Sequence, residues 1–269
     1  MITMMCSNDE EIIPFEGSYG IDHTCCILDS IPDAWIDSVK ENIRVHYAHT
    51  SHGSQLTTGL TRLEDADPFY AVAIGYSALP GEANALNIYD GQEHETYITP
   101  ELYWQTGEGM DYTRAVLNNN PDINVSIWCW CCQCDDYSFN QVQEYLDSIS
   151  VLESEFPSVT FVYMTGNAQA TGVDGYNRYQ RNSQIRNWCE LHQKMCFDFS
   201  DLDAWWFDPS AGVWEHSTYD HDEEEVPVEH SRFHGDEAGH TTYESCEQKG
   251  RAVWWLLAVI AGWDYMNKP

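Results

Sequence analysis

The chain has 269 residues, with 44 acidic against 12 basic side chains and a formal charge of -32 at neutral pH. No stretch carries the Lys and Arg density that a phosphate backbone requires, and an anionic bilayer would repel such a surface, so the composition argues against nucleic acid and membrane surfaces as partners. Small neutral or cationic ligands remain, and eight Arg against four Lys suit either a saline, cation-rich medium or a secreted protein kept dispersed by its charge.

Taken in chain order, residues 1–42 read as an N-terminal arm, and IRVHYAH from Ile43 to His49 reads as a short buried strand. GSQLTTGLTRLE follows at once with helical character. Further strands are expected at Ala85–Tyr89, Val125–Trp130, Val159–Met164 and Met195–Phe199. Between the third and fourth, Val142, Tyr145, Leu146, Ile149, Val151 and Leu152 recur at helical spacing, and Tyr179, Ile185, Trp188 and Leu191 do so before the fifth. Strands alternating with helices imply right-handed crossovers and a parallel sheet of about five strands covered on both faces. Residues 204–229 break the rhythm with aromatics and an acidic run, and read as an insertion in an otherwise single domain. The apolar run Ala252–Trp263 is too short to span a bilayer and reads as a buried C-terminal helix, while eleven Trp and 16 Tyr supply the surface for a sizeable core.

Ten cysteines point to an oxidising compartment and to disulfides. The overlapping C-x-x-C pairs of Cys129–Cys134 on a strand end make a poor tetrahedral cage, and adjacent thiols such as Cys25–Cys26 and Cys131–Cys132 are expected to reach different partners. The opening MITMMCSNDE has no leader character, so a secreted, extracellular or cell-surface protein would have its leader outside this chain. Asp220, His221 and Asp222 could hold a structural cation, calcium by their carboxylates or zinc with the nearby His216, His230 and His234, against the simpler reading of a solvated charge run.

In parallel α/β sheets ligands bind at the carboxyl ends of strands, which gives priority to His49-Thr50-Ser51-His52-Gly53. A strand turning into a helix there would expose the Ser51 hydroxyl and aim backbone N–H groups inward, as a nucleophile and its oxyanion hole require; Ser51 could equally be a helix cap. Gly91 and Asn167 follow two later strands and could add oxyanion donors. The base is sought in HGDEAGH, where His240 has Glu237 three and Asp236 four residues before it to orient the imidazole, with His234 as rival. His52, Trp130 and Gln133 stand where they could touch substrate, and Trp128, Trp205 and Trp206 could stack on sugar faces.

With these blocks, the chain resembles a divergent secreted branch of the SGNH or GDSL-type hydrolase superfamily. The resemblance rests on HTSHGSQ at His49–Gln55, FVYMTG before Asn167, and the terminal segment from Cys246 to Trp263. It implies a flavodoxin-like three-layer α/β/α sandwich and a serine ester hydrolase that removes acetyl or other short acyl groups from a carbohydrate or related small substrate, with no cofactor needed for catalysis. It places Ser51, Gly91, Asn167 and His240 in the four blocks. His49-Thr50-Ser51 stands where the family has Gly-Asp-Ser, and Glu237 where it has Asp. The other reading is a non-catalytic extracellular structural or carbohydrate-binding protein on the same fold, in which screened acidic faces permit self-assembly.

Overall fold

The computed structural model describes residues 20–264. A single parallel sheet forms the centre. Its strands are β1 (Gly20–Ile21), β2 (Arg44–His49), β3 (Val72–Tyr76), β4 (Leu86–Asp90), β5 (Val125–Cys129), β6 (Thr160–Met164) and β7 (Cys196–Phe197), in the order β1-β7-β6-β5-β2-β4-β3. Every residue of β4 and β5 is buried; Leu86, Ile88, Val125 and Ile127 supply apolar surface, while the buried Asn87 and Ser126 are hydrogen-bonded within the protein.

The helices are α1 (Asp33–Asn42), α2 (Ser54–Ala66), α3 (Gly107–Asn119), α4 (Gln133–Asp136), α5 (Phe139–Glu155), α6 (Gly172–His192), α7 (Phe199–Ala204) and α8 (Tyr243–Ile260). Right-handed crossovers sort the long ones. The chain moves one way across the sheet through α1 and α2, and the other way through α3, α5 and α6, so these two sets cover opposite faces; α8 packs on α2 and α1. The result is a three-layer α/β/α sandwich with seven strands rather than about five. The two additional strands are β1, two residues long, and β3, an edge strand that follows α2 after only a short turn.

Residues 205–227 fold as two antiparallel hairpins, β8 (Trp205–Asp208) with β9 (Val213–His216), and β10 (Thr218–His221) with β11 (Glu224–Pro227). Asp220 and His221 lie in the second ladder, His221 stacks on Tyr176 at 4.5 Å, and the Asp222 side chain is 98% exposed. Their ligand atoms do not converge as a metal group. No helix among the described residues is long and apolar enough to cross a membrane.

The α2–α8 contact depends on two glycines. A Cβ on Gly59 would stand 1.9 Å from the Cys246 carbonyl oxygen, and one on Gly250 would meet the Gly59 carbonyl carbon at 2.7 Å. Backbone cannot yield as a side chain does, so Gly59→Ala is expected to destabilise by about 3 kcal/mol, at the upper end for overpacking, read as a lower urea midpoint at unchanged m.

His46, wholly buried in β2, carries a second measurable consequence. Its Nδ1 is 2.9 Å from Ser126 Oγ and its Nε2 3.1 Å from the Gly91 carbonyl, so Nε2–H donates and Nδ1 accepts. Burial pushes its pKa down to about 4 against the pull of that carbonyl. An unfolded histidine takes its proton near 6.5, so between about 6.5 and 4 the unfolded chain binds a proton that the native one refuses. This contribution to stability is full above the unfolded value and falls as pH drops toward 4. The stability gap between wild type and His46→Gln should therefore narrow by about 2–3 kcal/mol from about pH 7.5 to about pH 4.5.

Candidate active site

The chain leaves β2 toward one edge of the sheet and β5 toward the other, so the carboxyl ends of these neighbouring strands form the topological switch point. The turn Thr50–Gly53 follows β2 there, and Trp130–Cys132 follows β5. The first turn is held from below. Tyr47 donates its hydroxyl to the Gly53 carbonyl at 2.7 Å, and a Cβ on Gly53 would fall 2.2 Å from His49 Cβ. His49 stacks on Tyr47 and sets its Nε2 3.2 Å from Asp90 Oδ1.

These supports aim His52 at the second turn. Its Nδ1 lies 3.0 Å from Cys131 Sγ and its Nε2 2.8 Å from Gln169 Oε1. A carboxamide oxygen only accepts, so Nε2 carries the hydrogen and Nδ1 faces the thiol. Gln169 is fixed in turn, donating through Nε2 to Glu229 Oε1 at 3.1 Å and to the His240 carbonyl at 2.7 Å. Glu229 is buried, accepts from Thr241 Oγ1 at 3.0 Å, and has its pKa raised by burial and then by the nearby Asp203 charge.

Ser51 Oγ lies 3.4 Å from Cys131 Sγ. The thiol of Cys131 is held well below its ordinary range, first by the Cys132 thiol 3.9 Å away, then, against burial, by the hydrogen bond and charge of His52 and by the Ser51 hydroxyl. Cys132 moves in the opposite direction, first through its hydrogen bond to Cys131, then through burial and the Cys131 charge. Burial alone would lower His52, but the Cys131 contact and charge, the Gln169 bond and Asp203 outweigh it and raise the imidazole. A thiolate beside an imidazolium is the arrangement of an activated nucleophile.

Comparison with protein-family models gives no match, and comparison with curated proteins gives none.

The geometry therefore decides how the residues singled out in the sequence relate. Ser51, His52, Asn167 and His240 do come to one rim. His240 sits in the left-handed region at φ 69° with its ring centroid 5.0 Å from that of His52, and its side chain is 53% exposed. Its Nδ1 is 3.7 Å from Asp236 Oδ1, whose side chain is 88% exposed. Glu237 instead accepts the Tyr243 N–H at 2.7 Å, at the start of α8. Asn167 donates through Nδ2 to the Cys131 carbonyl at 2.8 Å and so fixes the second turn. The Gly91 N–H is engaged by the Tyr47 carbonyl at 2.9 Å, which removes it as an oxyanion donor in this arrangement. Gln133 accepts the Cys131 N–H at 2.7 Å and positions the thiol's own backbone.

Trp128 and Trp130 are core residues, packed edge to face at 4.9 Å within a cluster that includes Trp104 and Tyr145. They offer no face to a sugar. Trp205 is sandwiched between His23 and His216, and Trp206 donates to Glu244 at 2.7 Å. The open aromatic edge of the site is different: Tyr97 and Tyr137, with Thr50, Thr99, Gln133 and Asp136, line a groove of about 330 Å³ that reaches Cys131 and Cys132. The nine cysteines among the described residues are all free thiols, so none forms the disulfides expected from their number; Cys6 lies outside the described residues.

Cys131, Gln169 and Glu229 join this constellation without having been singled out in the sequence. Cys131 follows a strand end just as Ser51 does, and that rule could have found it. Nothing in the sequence links His52 to Gln169, 117 positions away.

Proposed function

We propose that the protein hydrolyses carboxylic esters through a thiol nucleophile, acting on an acylated carbohydrate or related small neutral or cationic substrate. The observation that carries this reading is the 3.0 Å contact between Cys131 Sγ and His52 Nδ1, with the far side of the ring fixed on Gln169. Cys131 Sγ attacks the ester carbonyl, and the Ser51 hydroxyl beside it supports the developing oxyanion. His52, protonated at Nδ1, gives that proton to the leaving alkoxide as the C–O bond breaks. It then takes a proton from water, which attacks the thioester, releases the carboxylic acid and restores the thiol pair. The groove's tyrosines, hydroxyls and carboxamide suit a polyhydroxylated substrate, and Asp136 disfavours an anionic one.

A second reading keeps Ser51 as nucleophile, favoured by its contact with Cys131 Sγ and by His240 lying next to His52. The test is hydrolysis of a panel of short-chain aryl and sugar acetate esters by reduced, chelator-treated protein. Turnover that disappears on alkylation, with the alkyl group mapped to Cys131, supports the thiol reading. Inertness to the whole panel in salt leaves a binding or structural role.

A further inference from the structure

We infer that His52, Cys131 and Cys132 form a three-ligand site for a thiophilic divalent cation, zinc by geometry, and that its occupancy closes the thiol to substrate. The metal site stands on its own geometry; only the competition rests on the hydrolase reading. The three ligand atoms lie within 4.8 Å of one another. Tetrahedral zinc, with Zn–S about 2.3 Å and Zn–N about 2.0 Å, needs its two sulfurs about 3.8 Å apart and each sulfur about 3.5 Å from the nitrogen. The Cys131 and Cys132 sulfurs are 3.9 Å apart, and the His52 nitrogen is 3.0 Å from the nearer of them. The His52 nitrogen and the Cys132 sulfur lie within 4.8 Å, so a ring movement that opens the Cys131 contact by about 0.5 Å and sets the nitrogen about 3.5 Å from both sulfurs would admit the ion.

The donors suit zinc in kind as well as in spacing. Two thiolates and an imidazole are soft to borderline ligands that disfavour calcium and magnesium, and two thiolates neutralise a divalent charge. Binding releases whichever thiol protons remain. The outer shell is also of the expected type: His52 donates its other ring N–H to Gln169, itself tied to Glu229, which fixes the tautomer with Nδ1 free to ligate. Cys132 is exposed and gives the ion an entry path. Ser51 Oγ lies next to this ligand set, 3.4 Å from Cys131 Sγ. The other converging group among the described residues, Asp22, His23 and Asp201, is already closed on itself by the 2.6 Å contact of His23 Nδ1 with Asp201.

The experiment strips the reduced full-length chain with a chelator and titrates it with zinc against a chromophoric competitor, and separately with cobalt. The expected result is one tightly bound equivalent and a sulfur-to-cobalt charge-transfer band that falls by about half in Cys132→Ser and vanishes in the C131S/C132S double variant. Gln169→Leu should weaken zinc by about 10- to 100-fold and His52→Gln by more, in proteins whose melting transitions show them folded. Stoichiometric zinc should abolish ester turnover, and chelator should restore it. Absence of binding, or binding lost in Cys189→Ala but kept in C131S/C132S, overturns the site. A stripped protein that hydrolyses esters yet binds no zinc refutes this inference alone; one that binds zinc at these residues and is inert when stripped refutes the hydrolase reading alone.

Discussion

Replacing Cys131 by Ala is expected to lower kcat/KM for a short-chain ester by about 10³-fold or more, because it removes the attacking atom and with it the sulfur that lies 3.0 Å from His52 Nδ1. His52→Gln should cost about 10²- to 10⁴-fold, the range for a positioned general acid and base. Ser51→Ala should cost less, about 10²-fold, if its hydroxyl only supports the oxyanion. A hydroxylamine-sensitive acyl adduct on Cys131, seen by mass spectrometry after rapid quenching, would join these effects to one intermediate. If S51A falls to background while C131A retains turnover, the serine reading replaces the thiol one.

Lys249→Met should produce the largest loss of stability among single replacements away from the catalytic contacts. Lys249 Nζ lies 2.6 Å from Asp203 Oδ1, and both side chains are essentially inaccessible, at 0% and 1% exposure. The ammonium also bonds Ser245 Oγ and lies over Phe199 at 4.8 Å. Removing it leaves a carboxylate buried and unpaired, at a cost of about 3–5 kcal/mol, or roughly 10 °C in Tm for a domain of this size. The double variant K249M/D203L should recover much of that loss, since an apolar pair avoids the desolvation that the ion pair must offset. Recovery should be incomplete at the site, because Asp203 Oδ2 accepts the Ala168 N–H at 2.8 Å and so anchors the loop that carries Asn167 and Gln169. Thermal melts report the first effect and ester turnover the second.

The sheet is legible where burial on both faces concentrates large apolar residues in short segments, as in Ile88, Ile127 and Val162, and the long helices where Val142, Leu146 and Ile149 keep a helical period. The α3 helix escaped notice because it opens Gly-Glu-Gly and its buried face is carried by Gly109 and Thr113 as much as by Val116 and Leu117. The β3 strand is half-buried at the sheet edge, so its short run lacks both alternation and length. Strand-end logic brought Ser51, His52 and Asn167 to the correct rim. It could not pair His52 with Cys131, because that contact depends on β2 and β5 being neighbours, a fact of strand order rather than of any local motif. Trp130 was misjudged for a related reason: alternation along a strand says which residues share a face, but not that the face is covered by Tyr145 of α5.

Strand order has a further consequence, in time. The first strand of the sheet, Gly20–Ile21, pairs only with Cys196–Phe197, about 176 positions downstream. At a synthesis rate of about 5–20 residues per second, β1 leaves the ribosome on the order of ten seconds before its partner exists. The chain must keep that segment from competing edges while β2, β4 and β5 assemble, and its docking closes the longest loop in the fold among the described strands. Refolding should accordingly show β1 amides protected last in pulsed hydrogen exchange, after the strands that carry His52 and Cys131 are already in register.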